Sequence, residues 1–143
     1  SPQRQKYRLD EIKRWSEFLK IEINIKPKFF PPKDPHLPAR FTIAANLLDI
    51  KVVFGHEILK QLWSEEKDIS DIKNIEKISD SFKIDFKELS TLANSEKVSK
   101  IYTDNTLEAI KKNVFGAPTY IYNNELFWGQ DRLEFLERAL KNA

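Results

Sequence analysis

The feature that most restricts the fold is a single β-rich stretch near the C-terminus. Ala117-Pro118-Thr119-Tyr120-Ile121-Tyr122 and Glu125-Leu126-Phe127-Trp128 flank Asn123-Asn124, which predicts two short strands joined by a tight turn. Apolar side chains fall on both faces of this hairpin, so both faces need cover. Two strands alone are marginal in water and require more strands beside them. The only other extended segment is Ile21–Lys26, where Ile21, Ile23 and Ile25 alternate with Glu22, Asn24 and Lys26. It is short and runs into Lys26-Pro27-Lys28-Phe29-Phe30-Pro31-Pro32-Lys33-Asp34-Pro35, too rich in proline for a helix or a central strand. Phe29 and Phe30 favour a docked loop there. The chain reads as a sheet whose other strands are missing.

The remaining pattern is helical. Leu9, Ile12, Trp15, Phe18 and Leu19 recur at helical spacing between charged residues, which gives a surface helix with one buried face. From Pro38 to about Lys112 the periodicity is unbroken. Phe41–Leu48 is apolar nearly all round and predicts the most buried helix; Val52, Val53, Ile58, Leu59, Leu62 and Trp63 mark the next. Asp68 or Ser70 is placed to cap a helix through Ile72, Ile75 and Ile78, and Asp85 opens a short one. Asn94 or Ser95 starts a long helix through Val98, Ile101 and Ile110. After the hairpin, Gly129 breaks the strand and Asp131-Arg132-Leu133-Glu134 opens a last helix with capping-box spacing.

Composition narrows the chemistry. With 143 residues the chain can bury one real core and is too short for two ordinary domains. There is no cysteine, which removes disulfides, thiolate metal sites and a cysteine nucleophile from these residues, and with them thiol–disulfide exchange. His36 and His56 lack the close spacing of a zinc motif, so no metal is expected. A net charge of +2 is too small to make nucleic acid the default partner, and the basic stretch Arg4, Lys6, Arg8 does not change that. No apolar run approaches the roughly 18 residues of a membrane span, and Ser-Pro-Gln-Arg is not a signal peptide, so a cytoplasmic protein is expected. The chain has no methionine, not even an initiator: either the start has been removed or it is a piece of something longer.

Val114-Phe115-Gly116-Ala117-Pro118-Thr119, followed by Leu126-Phe127-Trp128-Gly129-Gln130-Asp131-Arg132-Leu133, resembles the C-terminal end of the 2-hydroxychromene-2-carboxylate isomerases and the related kappa-class glutathione transferases. The likeness extends upstream through Leu62-Trp63 with Lys67-Asp68-Ile69, Phe30-Pro31, Tyr7 and Arg14-Trp15, in one order along essentially the whole chain. It implies an α/β, thioredoxin-like fold with an all-helical insertion. On that basis residues 1–37 form a helix and proline-rich connector, 38–112 the insertion, and 113–143 the closing hairpin and helix. The family's first strand–helix–strand unit, which carries the Ser that activates the glutathione thiol, is absent from this chain. So is the Asn-Arg type pair that contacts substrate just before the position of Ser1. No catalytic residue is therefore expected within these residues.

The resemblance implies further residues. The Ala117–Pro118 bond would be cis, exposing the Ala117 N–H and C=O to pair with the cysteinyl part of glutathione as a short added strand; the plain alternative is a proline that starts a strand. Gly129, Gln130 and Asp131 stand at a helix N-terminus, where free N–H groups attract a carboxylate, and Asp131 would face the γ-glutamyl ammonium. On the sequence alone, Asp131 as a simple cap of its own helix is the favoured reading, and its two oxygens allow both jobs. Trp128 belongs to the segment that lines the glutathione site, although a tryptophan here is commonly core. Arg4 matches a basic position that faces bound anions and is a glutathione candidate, with a solvated arginine an equally good explanation, and Tyr7 and Arg40 are weaker candidates, for substrate. A helical tyrosine is otherwise core and a helical arginine surface. His36 lies near the family's substrate region with nothing else marking it as a base.

The implied function is glutathione-dependent isomerisation of an aromatic or oxo-acid. The thiolate adds to an activated carbon, a bond rotates, and the thiol is eliminated. One alternative is a kappa-class-like glutathione transferase, although Gln130 stands where that branch often has Ser. Another is a non-catalytic interaction or structural protein that docks to a partner supplying the missing strands. The expected partners are glutathione and a small-molecule substrate, with a homodimer or a sheet-completing chain both open.

Overall fold

In the computed structural model of the chain, residues 1–48 and 53–142 are described. By its internal contacts the chain divides into two units, Ser1–Tyr102 and Thr103–Ala143. Helix α1 (Pro2–Leu19) starts on a Ser1 cap with Pro2 in the first turn, where its missing N–H costs nothing, and stops at Lys20 in the left-handed region, φ 54°. It buries no residue fully; Leu9, Ile12 and Trp15 are half-buried. The surface-helix expectation holds, with a shallower buried face than the pattern predicts.

The Ile21–Lys26 segment does not form a strand. The Asn24 N–H donates to the Trp63 carbonyl at 2.7 Å, Asn24 Nδ2 donates to the Ser64 carbonyl at 3.1 Å, and Ser64 Oγ donates to the Glu22 carbonyl. Its polar groups thus go to the end of a helix rather than to a sheet partner. The proline-rich loop is docked, as expected. Pro27 is buried, the Phe30 ring lies 4.9 Å from Trp63, and the Asp34 N–H donates to Ser70 Oγ at 2.9 Å. The Phe30–Pro31 bond is cis.

Five helices follow: α2 (His36–Leu47), α3 (Phe54–Trp63), α4 (Ile72–Ser81), α5 (Phe86–Ala93) and α6 (Glu96–Lys111). No strand occurs among the described residues from 38 to 112. Helix α2 buries Pro38, Phe41, Ala44 and Ala45, and α3 presents Phe54, Ile58 and Leu62 at four-residue spacing. Val53 is an exposed residue ahead of α3 and Leu59 is exposed, so the core stripe is turned from the one predicted; Val52 lies outside the described residues. Gly55 lets α2 and α3 approach closely, since a Cβ there would stand 3.1 Å from Thr42 Cγ2. Together with Ile69, Ile75, Ile78, Leu89, Ala93 and Val98 these residues close one core, with Phe86 stacked on Phe41 at 5.9 Å.

The caps follow the predicted chemistry with one correction. Asp85 accepts from the Glu88 N–H and Ser95 from the Val98 N–H, but α4 is capped by Asp71, which accepts from the Lys73 N–H at 3.0 Å. Asp68 instead accepts from the Ser70 N–H two residues on, a turn of its own that precedes the helix.

The second unit holds the end of α6, the hairpin β1 (Thr119–Tyr122) and β2 (Glu125–Trp128), and α7 (Leu133–Lys141) behind a 3-10 turn at Gln130–Arg132. Asn123 and Asn124 both have positive φ, 48° and 63°, the turn that matches strand twist. The register pairs Thr119 with Trp128 and Ile121 with Leu126 on one face, and Tyr120 with Phe127 on the other. Helix α7 packs on both strands. Phe127 is the one buried apolar side chain among the described residues of this unit. No described helix is long and apolar enough to cross a membrane.

Candidate functional site

One end of the hairpin gathers the residues singled out near the C-terminus. The Ala117–Pro118 bond is cis, as the resemblance implies. Ala117 and Pro118 are exposed, and the Ala117 N–H and C=O make no hydrogen bond among the described residues. The strand next to them is fixed. Thr119 Oγ1 donates to the Gly116 carbonyl at 2.6 Å, and the Gly129 N–H donates to the Pro118 carbonyl at 2.9 Å. Free backbone beside fixed backbone is the arrangement that lets an extended peptide add to a sheet.

Gly129 sits at φ 114°, a conformation that side chains resist, and a Cβ there would stand 2.5 Å from Asp131 Oδ1. The chain then enters the 3-10 turn, whose first N–H groups have no acceptor within it. Asp131 does not cap the helix, contrary to the capping-box expectation. Its Oδ2 accepts from Arg132 at 2.8 Å, and neither the 3-10 turn nor α7 has a side-chain cap. The neighbouring guanidinium offers the carboxylate a charged partner, stronger than a neutral N–H. Oδ1 faces Gly129 and makes no hydrogen bond among the described residues. Gln130 and Asp131 are both exposed.

Trp128 is not core: it is 50% exposed. Its indole covers Gly116, where a Cβ would lie 2.3 Å from Nε1, and Phe115 meets it edge-on at 4.9 Å. The sequence singles out neither Gly116 nor Phe115, which the structure brings against Trp128. The signal for them was the Phe-Gly pair immediately ahead of the proline. A pocket of about 630 Å³ lies elsewhere in this unit, lined by Leu107, Lys111, Asn113, Ile121 and Leu126 among others, and none of the candidate residues borders it.

The remaining candidates lie in the first unit. Arg4 is exposed on α1 and forms no ion pair among the described residues. Tyr7 is exposed rather than core, with the Arg14 guanidinium 5.7 Å above its ring. Arg40 is half-buried rather than on the surface, and its Nε is buried without a partner. Among the described residues no hydrogen bond, ion pair or ring contact joins Arg40 to Arg4 or Tyr7. His36 does acquire a partner: its Nδ1 lies 2.8 Å from Tyr102 Oη, while Asp34 accepts from the His36 and Leu37 N–H groups and caps α2. Arg8, which the sequence marked only as a charge, lies over Phe30 at 5.7 Å.

A helical block followed by a closing hairpin and helix fits the thioredoxin-like class of fold with a helical insertion. Comparison with known proteins agrees: the chain belongs to the DSBA-like thioredoxin domain family, which it matches over residues 1–141. A 2-hydroxychromene-2-carboxylate isomerase of Sphingobium xenophagum is 23% identical over 135 residues, covering 94% of this chain and 67% of that protein. Another, from Pseudomonas sp. (strain C18), is 41% identical over 49 residues, 34% of this chain and 23% of that protein. A solved structure of a 2-hydroxychromene-2-carboxylate isomerase superposes with a TM-score of 0.76 at 22% identity, over 96% of this chain and 66% of that one. The chain thus spans about two thirds of the length of the relatives it follows from end to end.

Proposed function

We propose that the protein is a glutathione-dependent isomerase of the 2-hydroxychromene-2-carboxylate isomerase type, acting on an aromatic or oxo-acid substrate, and that this chain supplies part of its glutathione site. The observation that carries the reading is the exposed, unpaired Ala117 backbone at the cis proline, on the same end of the hairpin as Gly129, Gln130 and Asp131. The donor set suits a peptide with a zwitterionic end. Ala117 offers one N–H and one C=O to an extended backbone, the turn at Gln130 and Asp131 offers N–H groups to a carboxylate, and Asp131 Oδ1 offers an acceptor to an ammonium.

When bound, glutathione supplies a thiolate that adds reversibly to an activated carbon of the acceptor, so that a bond can rotate before the thiol leaves. The residues of this chain bind and orient. Ala117 fixes the cysteinyl backbone and thereby the direction of the sulfur. Arg132 holds one oxygen of Asp131 and keeps the carboxylate aimed. Trp128 screens one side of the site from water. Arg4 is a further candidate for glutathione, Tyr7 and Arg40 are the substrate candidates, and the cytoplasm is the proposed compartment.

The test is isomerisation of 2-hydroxychromene-2-carboxylate by the natural full-length protein, followed by absorbance with and without glutathione. Turnover that requires glutathione and fails with its S-methyl derivative is expected. Turnover independent of the thiol would overturn the cofactor assignment. Conjugation of 1-chloro-2,4-dinitrobenzene without isomerisation would favour the transferase reading, and neither activity would favour a non-catalytic protein.

A further inference from the structure

Phe115 is 69% exposed and Trp128 50%, and the backbone around them is tied at several points. Trp128 pairs with Thr119 across the hairpin, and the next residue, Gly129, donates to the Pro118 carbonyl. Thr119 Oγ1 in turn ties down the Gly116 carbonyl at 2.6 Å. Gly116 has no positive φ, so backbone freedom is not what requires a glycine there. Space is. A methyl group would stand 2.3 Å from the indole nitrogen and 3.0 Å from Cε2, so only a glycine lets the Trp128 ring lie against the chain at this point. With the indole placed there, Phe115 meets it edge-to-face, the two rings inclined at 61°. The indole N–H makes no hydrogen bond among the described residues. Of the other exposed apolar side chains of this unit, Leu107, Ile110, Leu133, Phe135 and Leu140 sit on helices and Tyr120 on β1; the Phe115–Trp128 pair immediately adjoins the free Ala117 backbone.

We propose that Phe115 and Trp128, with Gly116 as the positioning residue, form a two-ring shelf that takes the flat ring of an aromatic acid beside the Ala117 backbone. Rings prefer edge-to-face and offset partners, and a preformed pair loses little freedom on binding a third. The indole N–H adds one donor for an oxygen of the same ligand. The aromatic occupant rests on the proposed function, in which the acceptor is a planar oxygen heterocycle or its opened form. Phe115 thereby sets preference among acceptors and takes no part in holding glutathione.

Chromone-2-carboxylate, a flat bicyclic acid without a thiol, reads the shelf independently of glutathione. In calorimetric titrations of the full-length protein we expect Phe115→Leu to weaken its binding at least fivefold and Phe115→Tyr, which keeps the ring, to restore it. Thermal melts check that the variants fold, and Phe115, being exposed, tolerates both changes. Glutathione affinity should stay within twofold in each. A smaller loss in Phe115→Leu, or no binding of the probe by the wild type, overturns the shelf. Probe binding through Phe115 in a protein that ignores glutathione would instead overturn the cofactor reading and leave the shelf standing.

Discussion

Helices α2 to α5 with the start of α6, and the end of α6 with the hairpin and α7, are both rich in apolar residues but dispose of them differently. In the first region a dozen apolar residues close a core, Phe41, Ile75, Leu89 and Val98 among them with no exposed surface. In the second, Phe127 is buried at 7% exposure while Leu107, Ile110, Phe115, Leu133, Phe135 and Leu140 stay exposed. The reason lies in the backbone. A helix satisfies its own N–H and C=O groups, so a few helices can seal a core by side chains alone. A strand leaves one edge unpaired until a neighbour arrives. The candidate peptide-binding backbone falls in the region that does not close on itself, where free main-chain groups exist to be used.

Substitutions can break this contrast. Phe41→Ala, which empties a sealed core beside Phe86, should cost about 3–5 kcal/mol and be visible as a large fall in melting temperature. Phe127→Ala should cost clearly less, because the cavity opens in a unit that is already exposed. An equal loss in the two variants would mean that the hairpin is as well packed as the helices. Gly116→Ala should cost about 1–3 kcal/mol, since a methyl cannot share space with the Trp128 indole, and should shift tryptophan emission as that ring moves.

The smallest effect is expected at the surface. Glu65 lies between Lys67 and Lys60; the Lys67 hydrogen bond, then that of Lys60 and the two charges, hold its carboxyl below the usual range against the opposing effect of partial burial. A lowered carboxyl stabilises the fold above its unfolded pKa, and this contribution is lost as pH falls through the folded value. Glu65→Gln should therefore cost about 0.2–1 kcal/mol near neutrality and nothing in acid, checked by melts across that range.

What could be read from the sequence depended on how local the cause was. Helical periodicity placed α2 to α6, the Asn123-Asn124 turn placed the hairpin, and Asp85 and Ser95 were visible as caps because each bonds within its own turn. The Phe-Gly-Ala-Pro-Thr resemblance pointed to the cis bond at Pro118. Choices between neighbours were not legible. Asp71 rather than Asp68 caps α4 because Asp68 is used by its own turn, and Asp131 turns to Arg132 because a charged partner is one residue away. The Ile21–Lys26 alternation looked extended, but Asn24 found its partners at Trp63 and Ser64, far along the chain. Gly116 was opaque for the same reason, since its role depends on a ring from the opposite strand. His36 gained a partner in Tyr102 that no spacing announces.

The most direct test of the site is titration of glutathione into the full-length protein and its Asp131→Asn variant, with melts of both. Asp131 caps no helix here, so the substitution should leave the melting temperature nearly unchanged. By removing the charge that faces the ligand ammonium, it should weaken binding by about 1–3 kcal/mol, the range for a charge-assisted hydrogen bond. Equal affinities in the two proteins, or no binding to either, would contradict the account.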